Sequence, residues 1–330
     1  MLRHFCQMLV LALVLAVMAV GPSAQRAAER QAQRYSPPRT AWGDPDLQGV
    51  WSYNDDVSTP FERPNDLAGK PDLDDEERAA LLEERARRNV ERAPTIGGET
   101  GAGPVHWYEF WNSTSTRTSR VIDPPDGRVP PLTAEAQKRQ AALAAARRGR
   151  GPADSWEDRN LSDRCLGRGV PGTIVTPASY GNILRITQSP GYVAIVHEMV
   201  HDTRIIPLDG RPHIGQALRQ FLGDPRGRWD GDTLVVEVTN FSDKVNFRGS
   251  RDTLQLVERF TRVAPGVVNY EVTVNDPQTF TRTWTASVPL KSDPEQSEVF
   301  EYACHEGNYA MRNILSAARA EERAAAADKR

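Results

Sequence analysis

From about residue 174 onward the chain repeats one pattern: short runs in which apolar and polar side chains alternate, each closed by a turn signal. Residues 182–188 and 192–198 flank Ser189-Pro190-Gly191, and 202–208 ends at Asp209-Gly210. Residues 226–229 and 233–241 flank Asp230-Gly231, and 254–263 and 267–275 flank Ala264-Pro265-Gly266. Two further runs follow at 280–290 and 298–304. Strand side chains point alternately to opposite faces. In 267–275 this puts Val268, Tyr270, Val272 and Val274 on one face and Asn269, Glu271, Thr273 and Asn275 on the other. Asp-Gly between two such runs is a strong hairpin signal. Seven to nine antiparallel strands at this spacing predict a mainly β fold, a meander closing into a lipocalin-like barrel. A barrel of that size holds one small ligand or a packed core. A last helix, over about 308–323, would lie outside it or cap one end.

The N-terminal part has a different character. Met1-Leu-Arg-His4 is a short basic segment, followed by an apolar run over about 8–20 and then Gly21-Pro-Ser-Ala24. That run is shorter than the roughly 20 residues of a membrane span, so 1–24 reads as a secretory signal peptide. Residues 25–160 read as an extended and helical arm, and 161–325 as the barrel domain with its C-terminal helix. In the arm, Trp42 and Trp51 anchor an ordered entry segment. Helices are predicted over about 74–92, where acids open the first turn, and over about 133–148. Both are heavily charged and read as surface helices.

The expected location is therefore secreted or periplasmic, with no membrane span. A net charge of −3 over 330 residues gives no electrostatic footprint for nucleic acid. Cys6 leaves with the signal peptide, so the mature chain keeps Cys165 and Cys304. Two thiols in an oxidising compartment favour one disulfide. Closing a loop of roughly 140 residues contributes about 4–5 kcal/mol in the chain-entropy treatment. A nucleophilic Cys304 beside His305 is the functional alternative, disfavoured because oxidation would disarm it.

The segment His197-Glu198-Met199-Val200-His201 has two exclusive readings. On a helix it is H-E-x-x-H, with His197 and His201 as zinc ligands and Glu198 as base. In a strand, residues four apart stand about 13 Å from each other at roughly 3.3 Å per residue. Both nitrogens must lie about 2.0–2.1 Å from one zinc, which a strand forbids. The neighbours favour the strand: Pro190-Gly191 before it, Ile205-Ile206-Pro207 after it, and β-branched residues throughout. On that reading Glu198, Asp202 and Arg204 share a face and either line a polar barrel interior or form a buried register-fixing ion pair.

Several phrases form a recognisable set: Arg164-Cys-Leu-Gly-Arg-Gly169, Glu198-Met-Val-His-Asp-Thr-Arg-Ile-Ile-Pro-Leu-Asp-Gly-Arg-Pro-His213, Gly227-Arg-Trp-Asp-Gly-Asp-Thr-Leu-Val-Val236 and Tyr302-Ala-Cys-His-Glu-Gly-Asn-Tyr309. On these the chain resembles a family of secreted, mostly uncharacterised bacterial lipocalin-like (calycin-type) proteins. The resemblance implies the fold, attaches no activity, and implies that position 197 need not be His.

The expectation is a secreted barrel acting on a small, largely apolar molecule by metal-free acid–base chemistry: hydration or elimination, isomerisation, or hydrolysis. No cofactor is expected. The candidate residues are His201, Asp202, Arg204, His305 and Glu306, with His213 at the rim. Asp202 or Glu306 would orient a histidine base, and Arg204 would stabilise an oxyanion. The alternatives are a non-catalytic binding or carrier protein of the same fold and a zinc hydrolase through His197, Glu198 and His201.

Overall fold

The computed structural model describes residues 35–96, 115–178, 180–292, 294, 298–306 and 308–328; the expected signal peptide lies outside them. Ten strands form one antiparallel sheet: β1 (Gly49–Ser52), β2 (Val121–Asp123), β3 (Ile183–Ser189), β4 (Tyr192–His197), β5 (Thr203–Pro207), β6 (Asp224–Asp230), β7 (Thr233–Thr239), β8 (Gln255–Ala264), β9 (Val267–Asn275) and β10 (Trp284–Lys291). The order is β5-β4-β3-β1-β10-β9-β8-β7-β6, with β2 also paired to β10. Among the described residues four α-helices accompany it: α1 (Asp75–Ile96), α2 (Ala134–Ala146), α3 (Gly172–Val175) and α4 (Ala310–Ala327). Among the described residues no helix is long and apolar enough to cross a membrane.

Most of these elements begin and end where their residue chemistry requires. β6 and β7 turn at Gly231, and β8 and β9 at Pro265-Gly266. Thr133 caps α2, its hydroxyl accepting from Ala136 N at 3.1 Å while donating to Gln278 O at 2.9 Å. The alternation in β9 is borne out: Val268, Tyr270, Val272 and Val274 are fully buried. They join Leu256 and Phe260 of β8, Trp284, Ala286 and Val288 of β10, and Val193, Ile195 and Ile206 of β4 and β5 in one core. Each of the Val, Leu, Ile and Phe side chains among them contributes about 1.5–3 kcal/mol on burial.

Four expectations need correction. The run at 298–304 forms no strand and pairs with none in the sheet. The runs 192–198 and 202–208 are two strands as their separation suggests, but the continuous strand through Glu198, Asp202 and Arg204 is not formed, since β4 ends at His197 and β5 starts at Thr203. The N-terminal part is more than an arm, because β1 sits in mid-sheet between β3 and β10. Finally, the sheet does not close into a barrel, since its end strands β5 and β6 share no ladder. Pro207 and Pro225 lie on these two edges and offer no N–H for pairing. The edges meet through side chains instead. Gly227 makes room, since a Cβ there would stand 2.6 Å from Leu208 Cδ2 and 2.7 Å from Ile206 Cγ2.

Two ion-pair networks hold distant parts of the chain together. Asp56, fully buried, accepts from Arg120 Nε at 2.7 Å, Arg117 Nη2 at 2.9 Å and Thr59 Oγ1 at 2.9 Å. Arg120 O in turn accepts from Ser287 N of β10 at 2.9 Å, so this network ties the N-terminal segments to the sheet. Inside the sheet, Arg204 of β5 makes a two-pronged pair with Glu258 of β8, with Nη1 to Oε1 at 3.0 Å and Nη2 to Oε2. Tyr270 adds its hydroxyl to Glu258 Oε1 at 2.9 Å. β5 and β8 are not neighbours in the strand order, so this pair spans the interior of a strongly curled sheet. The expected disulfide is present: Cys165 and Cys304 are bonded, with Cα atoms 5.7 Å apart.

Breaking a buried pair strands one charge in the core, at a cost of about 3–5 kcal/mol, whereas an apolar replacement of both partners costs far less. Urea unfolding of Glu258→Leu, Arg204→Met and the double variant is therefore expected to show each single variant less stable than the double. Additive losses would show that the two side chains act independently.

Candidate functional site

The connection between β4 and β5 is strained. Val200 has φ 60° and ψ 14°, and His201 has φ 46°. The left-handed region is uncommon for any non-glycine residue and an outlier for a β-branched one. Such conformations cost on the order of 1–3 kcal/mol and persist only when surroundings impose them. Here the surroundings are Met199 and Val200, both buried, and the bonds His197 N to Asp202 O at 2.9 Å and Glu198 N to Ile183 O at 3.0 Å. The turn carries Glu198 and His201 at the open end of β3 and β4.

Residues 299–306, tethered by the disulfide at Cys304, lie against this turn and enclose a cleft of about 550 Å³. Arg185, Val196, Glu198, His201, Phe300 and Glu306 are among its walls. Arg185 and Val196 are paired residues on the outer face of β3 and β4, so the cleft lies outside the sheet interior. Glu198 Oε2 accepts from Phe300 N at 3.1 Å. Burial pushes the Glu198 carboxyl up from its ordinary value, with the Phe300 N–H opposing. His201 Nδ1 lies 3.0 Å from Tyr302 O. A carbonyl only accepts, so Nδ1 donates there, and Nε2 is the nitrogen that can act as a base. The Tyr302 hydroxyl is pushed up to about 12 by burial and by its contact with the Tyr180 hydroxyl at 3.4 Å.

The structure gathers some of the expected residues and separates others. His201 and Glu306 share the cleft with Glu198. His305 has its ring 6.3 Å from that of His201 but lines a smaller cavity of about 340 Å³ with Trp156, Arg164 and Cys165. Asp202 turns toward residues 167–169 and accepts from Arg168 N at 2.9 Å. Gly167, at φ +133°, lets that loop approach: a Cβ there would stand 3.2 Å from Asp202 Oδ1. Burial raises the Asp202 carboxyl, against the N–H groups of Arg168 and Gly169 and the charge of His201. Arg204 does not join Glu198 and Asp202. The turn changes the facing, so Arg204 points inside with His197, and its partner is Glu258. His213 sits elsewhere, with Nδ1 2.9 Å from the buried Asp224, which also receives Arg226 Nη1 at 2.6 Å.

The helix required by the zinc reading is not formed, and among the described residues no three His, Cys, Asp or Glu side chains are grouped as metal ligands. Sequence reasoning missed Glu258, Tyr270 and Tyr302. Glu258 had a signal, as a carboxylate between Leu256 and Phe260 on an otherwise apolar face. Tyr302 had none, because its part is played by its backbone oxygen. No family model matches the chain, and no curated protein or solved structure matches it either.

His197 is buried, with Nδ1 unpartnered, and burial together with the neighbouring Arg204 lowers its pKa from 6.5 to about 3. A depressed folded-state pKa contributes stability that is present above pH 6.5 and lost as pH falls toward 3, on the order of 4–5 kcal/mol across the interval. Unfolding free energies of His197→Leu measured at several pH values are expected to show a shallower acid slope than wild type over that range. An unchanged slope would assign the acid sensitivity to other groups.

Proposed function

We propose that the protein is a secreted or periplasmic enzyme that moves protons on a small, partly apolar molecule in the cleft between the β4–β5 turn and residues 299–306. The observation that carries this reading is the pairing of Glu198 and His201 on one 550 Å³ cleft. One carboxyl is biased toward its protonated form by burial, and one imidazole is held in a defined orientation by Tyr302 O. A carboxyl raised by burial and an imidazole of fixed orientation on one cleft are the two groups general acid–base catalysis uses. His201 Nε2 accepts a proton from the substrate and the Glu198 carboxyl delivers one to it, which yields isomerisation, elimination or hydration. Val196, Val299 and Phe300 face the apolar body, and Arg185 faces an anionic or carbonyl oxygen. The formed disulfide supports an oxidising compartment. A carrier function within the sheet has less support, because the inward positions are taken by Phe260, Tyr270, Trp284 and their aliphatic neighbours.

The test is turnover of a panel of small hydroxy acids, enoates and enones. Glu198→Gln and His201→Gln are each expected to lower kcat by about 10²–10⁴. In wild type kcat/KM should fall as pH rises through the ionisation of the Glu198 carboxyl, which burial raises above its ordinary value. Turnover retained in both variants would remove these residues from the reaction.

A further inference from the structure

A larger cavity, about 850 Å³, shares no lining residue with this cleft and is formed by the 157–172 segment, the end of α2 and the 243–251 loop. Its lining is charged at the rim and apolar at the floor. Val170, Val245 and Phe247 are buried beneath it, and Leu143 and Leu166 stand exposed at its edge. Most of its carboxylates are already neutralised. Asp163 is paired with Arg159 at 2.8 Å, Asp158 with Arg150 at 2.7 Å and Asp243 with Arg251 at 4.0 Å. Three lining cations make no ion pair among the described residues, Arg147, Arg164 and Lys244, while a fourth, Arg168, stands near the Asp202 carboxylate that its backbone N–H meets. Glu157 is the one lining carboxylate there without an ion pair. Arg164 is braced with its guanidinium 4.5 Å above the Trp156 ring, and Arg168 Nη2 is tethered to Thr176 O at 3.4 Å.

We propose that this cavity is a second binding site, for an organic anion with an apolar body, such as an alkyl carboxylate. Its size falls in the range of small-molecule sites, roughly 300–1,000 Å³. Guanidinium groups match a carboxylate's two oxygens, and surplus positive charge in a low-dielectric recess attracts such anions. The floor of Val170, Val245 and Phe247 receives the alkyl part. The site shares no lining residue with the cleft of Glu198 and His201, and its recognition of an anion uses none of the chemistry assigned to them.

Calorimetric titration of the full chain with octanoate tests this, with 1-octanol and inorganic phosphate as controls. Octanoate is expected to bind one-to-one, and octanol and phosphate each about tenfold more weakly or less, since each lacks one half of the recognition. Arg147→Gln/Lys244→Gln and Arg164→Gln should each weaken octanoate by about tenfold or more. Both positions in the double variant are exposed, and an unchanged thermal midpoint verifies its fold. Glu198→Gln should bind octanoate as wild type does, which separates this site from the acid–base cleft. No octanoate binding, octanol or phosphate binding as tightly, or unaltered binding in both cation variants would overturn the assignment.

Discussion

The buried pair of Arg204 and Glu258 decides the shape of the sheet. Arg204 belongs to an end strand and Glu258 to a strand near the opposite end, so the two meet only if the sheet curls until its faces enclose a core. An ion pair in that position is unforgiving. With both partners present and Tyr270 filling a third position on the carboxylate, the charges are mutually satisfied. Displacement of β5 would leave both without partners in an apolar interior, a state costly enough to exclude other arrangements of the edge. The hydrophobic rows supply most of the stability and little of this selectivity, since apolar contacts are non-directional.

The same constraint reaches the candidate site. Because β5 is pinned with Arg204 inward, the β4–β5 connection has to reverse direction within a few residues. Val200 and His201 take left-handed conformations to do so. The strain sits where Glu198 and His201 are displayed, and the covering wall is fastened by a disulfide rather than by a ladder. Rigid elements thus surround the site on one side, and a covalent tether defines the other.

Much of the fold was legible from residue patterns. Eight of the strands appeared as alternating runs, because one face of each is buried and the other is not, and hairpin turns were marked by Asp-Gly and Pro-Gly. β1 and β2 were not legible. Each is too short for a period to show, and each is held by partners far away in the chain. The open edge escaped notice for another reason: strand count and spacing predict a meander, while closure depends on whether the end strands offer backbone donors. Pro207 and Pro225 were visible, but their effect depends on which strands lie at the ends. At the site, His201 and Glu306 were recognised as chemistry-bearing types and do share a cleft. Arg204 was misplaced because a five-residue turn was read as continuous strand, and a change of register there sends a side chain to the opposite face.

β1 has a consequence for how the protein forms. It is near the start of the described chain, yet its neighbours in the sheet are β3 and β10, and β10 is the last strand to be made. A chain synthesised from its N-terminus therefore carries β1 without a complete set of partners until nearly the whole sequence has appeared. Contacts of such long sequence separation slow folding, because much chain entropy is lost before any pairing compensates. Folding after release is thus built into the order of the strands, and a truncation before Lys291 would remove the seam that joins the two halves of the sheet.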